Sequence, residues 1–193
     1  MTQENINSAA SAWDVDPIST IIQRIHYRYT TKGLRSISVL SEERGEGKTT
    51  ISMLLARGLT EVYKFRVLLV DLNPEGDVLL NQYLKKCNSK DGIVLDHPFS
   101  FQIFRVKDLD IDWSKSITDG LYLNRLIGSL SGQFDFVVVD TAHSLSQNEG
   151  FLKINTDTNL IVCTDKTFEK EKLQVKEKIK MNRKDLFGVV FNK

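Results

Sequence analysis

Two residue types that staple or punctuate small folds are scarce here: the 193-residue chain has 2 cysteines and 3 prolines. The cysteines, Cys87 and Cys163, stand far apart and in no metal-binding spacing, which excludes a disulfide scaffold and a zinc module. Cys163 lies inside an apolar run, the setting of a buried, reduced thiol. No stretch reaches the roughly 18 consecutive apolar residues of a membrane helix. The opening segment, MTQENINSAASAW, lacks the basic head and apolar centre of a secretory signal, so a cytoplasmic location is expected. Neither sign of charge dominates: 26 basic residues face 25 acidic ones, for a net charge of +1, and a nucleic-acid partner is not expected. What is present is ordinary for a folded domain, with 41% apolar and 26% charged residues. That length predicts one domain able to bury a core without cross-links.

Residues 1–15 are polar and without periodicity, which predicts a flexible arm followed by one domain over 16–193. Asp16-Pro17 is an N-cap followed by proline at the first helical position. Ile18, Ile21, Ile22, Ile25 and Tyr29 then recur at helical spacing, and TTKG ends that helix. Apolar runs at Ile37–Leu40, Val67–Val70, Phe136–Val139, Leu160–Cys163 and Val189–Phe191 predict buried strands. Helical patterns separate most of them: Ile51, Leu54, Leu55, Leu59 and Val62; then ITDGLYLNRLIGSL; then a charged helix from Thr167 to about Asn182. Such alternation predicts an α/β fold with a mostly parallel, twisted sheet flanked by helices. The stretch from Lys85 to Lys115 is the least legible, although Asp108–Trp113 alternates with the period of a half-buried strand.

The chemistry concentrates in SVLSEERGEGKTT. An apolar strand runs into Gly45-Glu46-Gly47-Lys48-Thr49-Thr50 and directly into an amphipathic helix, the context of a phosphate-binding loop. Glycines let backbone N–H groups turn inward around an anion. The helix N-terminus adds unpaired N–H groups and a positive dipole end. Lys48 suits terminal phosphates, and the Thr49 hydroxyl suits Mg²⁺. The complete loop pattern has glycine where this chain has Glu42. Two more strands end in acids, RVLLVD at Asp71 and FDFVVVD at Asp140. Carboxylates at the ends of parallel strands face the ligand crevice, where they hold Mg²⁺ or position a nucleophile. His143 reads as a surface-loop residue and His26 as a solvated one on the polar side of the first helix. Asp108, Asp110 and Asp112 read as a solvated strand face. The lysines at 170, 172, 176, 178 and 180, interleaved with glutamates, read as a solvated helix face.

At SVLSEERGEGKTT, RVLLVDLNP, FDFVVVDT and LFGVVFN the chain resembles the nucleotide-binding segments of the bacterial tyrosine kinases of capsular and exopolysaccharide biosynthesis, within the class of division-site and plasmid-partition ATPases. The resemblance implies a P-loop fold that binds Mg-ATP. Lys48 and Thr49 would serve phosphates and Mg²⁺, and Asp71 and Asp140 would be the acids of the second and third motifs. Asn192 would read adenine. It also implies a membrane-bound polysaccharide export or chain-length partner, and it leaves a homo-oligomer open. Glu43 stands where partition ATPases carry an extra lysine, which favours the polysaccharide branch. Asn73 replaces a second acid, and Ile18, Ile21 and Arg24 stand where an oligomer motif has a Glu and two Arg. Ala142-His143 stands where prolines are usual. The kinases phosphorylate a C-terminal tyrosine cluster, whereas the 5 tyrosines here are Tyr27, Tyr29, Tyr63, Tyr83 and Tyr122. The expectations that follow are a tyrosine-kinase-like protein, self-phosphorylating only if the natural chain continues past Lys193 and otherwise acting on another protein, a switch ATPase that uses water, or a scaffold without turnover.

Overall fold

The computed structural model describes residues 17–73, 93–94, 100–106, 121–141, 154–164 and 185–192. The arm, Asp108–Trp113, Ala142-His143 and the charged helix lie outside the described residues. Helix α1 spans Pro17–Lys32, and strand β1 (Ser36–Ser41) follows a left-handed turn at Gly33 with φ 70. Helix α2 spans Lys48–Tyr63 and feeds β2 (Val67–Asp71). Then come β3 (Ile93–Val94), β4 (Gln102–Arg105), α3 (Leu121–Ser131), β5 (Phe136–Asp140), β6 (Thr158–Cys163) and β7 (Asp185–Phe191). The sheet order is β3-β4-β2-β5-β1-β6-β7, parallel throughout except for the antiparallel edge pair β3–β4.

The period of two along each strand divides the core into two layers. Ile37, Val39, Val67, Leu69, Phe136 and Val138 face α1 and α2. Leu68, Val70, Val137 and Val139 face the opposite side with Ile127 and Leu130 of α3. A sheet buried on both faces needs strands apolar at every position, which explains the uninterrupted runs in β2 and β5. The isoleucine stripe of α1 packs within the domain: Ile18, Ile21, Ile22 and Ile25 are all buried, and a Cβ at Gly58 of α2 would overlap the Ile22 side chain. Ile18 and Ile21 are therefore core residues and offer no surface for assembly.

Three expectations are corrected. Val62 is 63% exposed, because the buried stripe of α2 steps by four through Ile51, Leu55 and Leu59 to Tyr63. His26 is half-buried and stacks on Tyr63, ring centroids 3.8 Å apart. Val189 and Phe191 belong to the edge strand and are exposed, while Phe187 and Val190 are buried. A register shift against β6 accounts for this: Asn159 pairs with Leu186 and Leu160 with Gly188. Phe187 is the extra residue of that bulge, and Arg24 and Arg28 of α1 lie over its ring at 5.4 and 4.8 Å.

The entry ends of β2 and β5 are joined by charge. Asp135 accepts the Arg66 backbone N–H at 2.8 Å, and the guanidinium meets the same carboxylate at 3.3 and 3.2 Å. The Arg66 side-chain hydrogen bonds, followed by its backbone N–H, hold the Asp135 carboxyl below the usual carboxylate range. A carboxylate whose folded pKa is depressed stabilises above its unfolded pKa, and that contribution disappears as pH falls through the folded value. The pair is partly solvated, so its effect is small. Asp135→Asn is expected to lower Tm by about 2 °C at pH 7 and to leave it unchanged near pH 2, measured by thermal melts across that range.

Candidate phosphate-binding site

The chain reverses direction at the exit of β1, and the reversal builds the site. Gly45 and Gly47 have φ 89 and 95, left-handed values that a side chain opposes. Gly47 is the N-cap of α2, and its carbonyl accepts the Ile51 N–H at 3.0 Å. The helix therefore begins at Lys48, with Thr49 half-buried and Thr50 exposed in its first turn. The positive end of the helix dipole faces the loop.

Lys48 is 8% exposed, unusual for a lysine, and its ammonium donates to the Ser41 hydroxyl at 2.6 Å. Ser41 passes the interaction on to the Glu43 carbonyl at 2.7 Å. A buried ammonium stays charged only where oxygen acceptors surround it. Ser41, the last residue of β1, is thus part of the site. Sequence reasoning passed over it, although a serine closing an apolar strand just before the loop is a visible signal.

The two acids converge. Asp71 and Asp140 are register partners at the exit ends of adjacent strands β2 and β5, and they are 0% and 3% exposed. Asp140 also pairs with Val39 of β1, so both acids sit within two strands of the loop. Thr141, likewise missed from the sequence, fixes this edge by donating its hydroxyl to the Val39 carbonyl at 2.7 Å. The Leu72 N–H donates to the Asp140 carbonyl at 3.0 Å. Asp71 accepts the Asn73 backbone N–H at 2.9 Å, a local turn that needs no second acid.

Two glutamates lie buried in the loop. Glu42, at the position of the missing glycine, is 7% exposed. Glu46 is 3% exposed, and its carboxylate accepts the backbone N–H of Glu43 at 2.8 Å and of Thr164 at 3.2 Å. Asn192 reaches the same place from the end of β7: its Nδ2 donates to the Glu46 carbonyl at 2.9 Å. A Cβ at Gly47 would overlap that amide, so glycine is required there on two counts.

The structure therefore brings Gly45, Glu46, Gly47, Lys48 and Thr49 after β1, Asp71 and Asp140 at the ends of β2 and β5, and Asn192 after β7 to the same end of the sheet. This is where an open α/β sheet binds its ligand, at the strand where the order reverses. The donor set is all hard oxygen, from one hydroxyl and two buried carboxylates, and suits Mg²⁺. Among the described residues, no helix is long and apolar enough to cross a membrane.

Comparisons with known proteins agree with this geometry. The CobQ/CobB/MinD/ParA nucleotide-binding domain matches residues 37–193. A virulence-plasmid ParA family protein, pGP5-D of Chlamydia psittaci, is 29% identical over 185 residues, covering 82% of this chain and 69% of the relative. The tyrosine-protein kinase CpsD of Streptococcus pneumoniae is 25% identical over 175 residues, covering 83% and 76%. In architecture, the kinase domain of the Escherichia coli tyrosine kinase ETK superposes with a TM-score of 0.71 at 16% identity, covering 91% of this chain and 73% of that one. MinD of Pyrococcus horikoshii, complexed with Mg-ADP, superposes at 0.59 and 22% identity, covering 82% and 70%. With the loop, the paired acids and the sheet order in place, the chain belongs to the CobQ/CobB/MinD/ParA nucleotide-binding domain family.

Proposed function

We propose that the chain binds Mg-ATP at this end of the sheet and acts as a regulator of polysaccharide synthesis and export, in the manner of the capsular tyrosine kinases. The observation that carries the nucleotide reading is the buried Lys48 at the start of α2, at the end of the sheet where Asp71 and Asp140 form a buried, in-register pair. Such an array balances a triphosphate. The loop amides and Lys48 neutralise phosphate charge, and the two carboxylates hold the metal or orient an attacking hydroxyl. Mg²⁺, when bound through Thr49, Asp71 or Asp140, supplies charge neutralisation at the transferring phosphoryl group. Asn192 supports adenine. Its amide nitrogen is engaged by the Glu46 carbonyl, so its oxygen is the acceptor suited to an exocyclic amine.

In this reading the phosphate acceptor is a tyrosine, and the partner is a membrane-bound export or chain-length protein that recruits the chain to the inner face of the membrane. A second reading is a switch ATPase of the partition type, with water as acceptor and nucleotide state controlling dimerisation. The similarity to the ParA family protein favours it.

ATP labelled at the γ-phosphate separates the two. Label on tyrosine, lost in Lys48→Met, establishes phosphoryl transfer to protein. Label only in free phosphate at above-control rates establishes the switch ATPase. No turnover above the control leaves a nucleotide-binding scaffold, and no binding either sinks the Mg-ATP reading altogether.

A further inference from the structure

Glu46 is the feature of the loop that phosphate binding does not explain. A buried carboxylate beside a phosphate site opposes the ligand's charge, and burial itself is costly unless hydrogen bonds replace water. At Glu46 both oxygens are used, one by the Glu43 N–H within the loop and one by the Thr164 N–H immediately after β6. The Glu46 main-chain carbonyl takes the Asn192 side chain immediately after β7. One residue thus joins three segments that are far apart in sequence: the loop after β1, the exit of β6 and the exit of β7. Only a carboxylate presents two strong acceptors on a side chain of this length, and bonds to an ionised acceptor are stronger than neutral ones.

We propose that the Glu46 side chain is a positioning group: by tying the phosphate loop to the exit of β6 it holds the Glu46 main-chain carbonyl where Asn192, after β7, reaches it, so that the phosphate and base ends of a nucleotide meet one rigid surface. The proposal rests on the Mg-ATP reading above, with Asn192 on the base side. A rigid link between two subsites makes the second contact effectively intramolecular. A loosened link loses that advantage while each subsite still works alone. Inorganic tripolyphosphate engages the loop only, whereas ATP engages both ends.

The test compares the two ligands, each with Mg²⁺, on the wild-type chain, Glu46→Ala and Glu46→Gln by calorimetry. It adds amide hydrogen exchange on the ligand-free proteins. In Glu46→Ala the main-chain acceptor for Asn192 remains but is no longer held by the side chain, and the preference for ATP over tripolyphosphate falls about tenfold. Exchange at the Glu43 and Thr164 amides rises together, also by about tenfold. Glu46→Gln keeps one acceptor and falls between. General loss of stability weakens both ligands and leaves their ratio unmoved. ATP binding with an unchanged ratio in Glu46→Ala, or an unchanged Thr164 amide, overturns the coupling alone. A wild-type chain that binds neither ligand overturns the nucleotide reading and the coupling with it.

Discussion

Lys48→Met is expected to reduce Mg-ATP affinity at least a hundredfold without lowering the stability of the free protein. Hydrogen bonds to charged groups contribute about 1.5–3 kcal/mol each, and a lysine ammonium on a triphosphate adds its charge to that. About 2.7 kcal/mol is already a hundredfold. Stability behaves differently because Lys48 is buried. Its ammonium is desolvated, donating to the Ser41 hydroxyl at 2.6 Å, and burying a charge costs several kcal/mol that its interactions must repay. Methionine has nearly the same length and volume and carries no charge. Ser41 keeps its bond to the Glu43 carbonyl, so no buried hydroxyl is stranded. Thermal melts with and without Mg-ATP read both halves. The expected pattern is an equal or higher Tm for the variant alone, with no upward shift on adding nucleotide, where the wild type shifts upward. A variant that still shifts with wild-type midpoint would show that Lys48 does not touch the ligand. A variant several degrees less stable would show that the interactions of the ammonium more than repay its desolvation.

Much of the site was legible because its signals are local. The loop, the helix that follows it and the acids ending two strands are contiguous in sequence, and the apolar runs of β1, β2, β5 and β6 could be read because both faces of the sheet are covered. Strands β3 and β4 were not legible. In FQIFRV the apolar residues are interrupted by Gln102 and Arg105, both half-exposed, since β4 lies near the edge of the sheet. The contacts that finish the site were hidden for another reason. Asn192 holds the carbonyl of a residue 146 positions away, and Glu46 holds an amide 118 positions away, which no local pattern encodes. His26 was misread because its stacking partner, Tyr63, belongs to another helix. Periodicity reports which face of a helix is buried; it does not report which aromatic ring arrives there from elsewhere.

Gly47→Ala is expected to lower Tm by about 4–8 °C and to remove measurable Mg-ATP binding, through two separable effects. The first is backbone strain. A φ of 95 lies outside the range comfortable for any residue with a Cβ, at a cost of about 1–3 kcal/mol. The second is contact, because the new methyl group would overlap the Asn192 amide and displace it from the Glu46 carbonyl, losing a hydrogen bond of about 1 kcal/mol. Binding suffers more than stability. In the proposed site the same left-handed turn would orient the loop amides, and a misplacement of about 1 Å in a preorganised site is worth a hundredfold. A double-mutant cycle apportions the two effects. In Asn192→Ala the overlapping amide is gone, so Gly47→Ala added to it costs only the strain. The two substitutions together should therefore be about 1 kcal/mol less damaging than the sum of the singles. Strict additivity would mean that strain alone excludes alanine and that Asn192 moves aside freely, leaving the exit of β7 untethered from the loop on that side. Non-additivity of the expected sign would show that Asn192, at the exit of β7, presses on the turn of the proposed phosphate site, a contact that no local pattern in the sequence encodes.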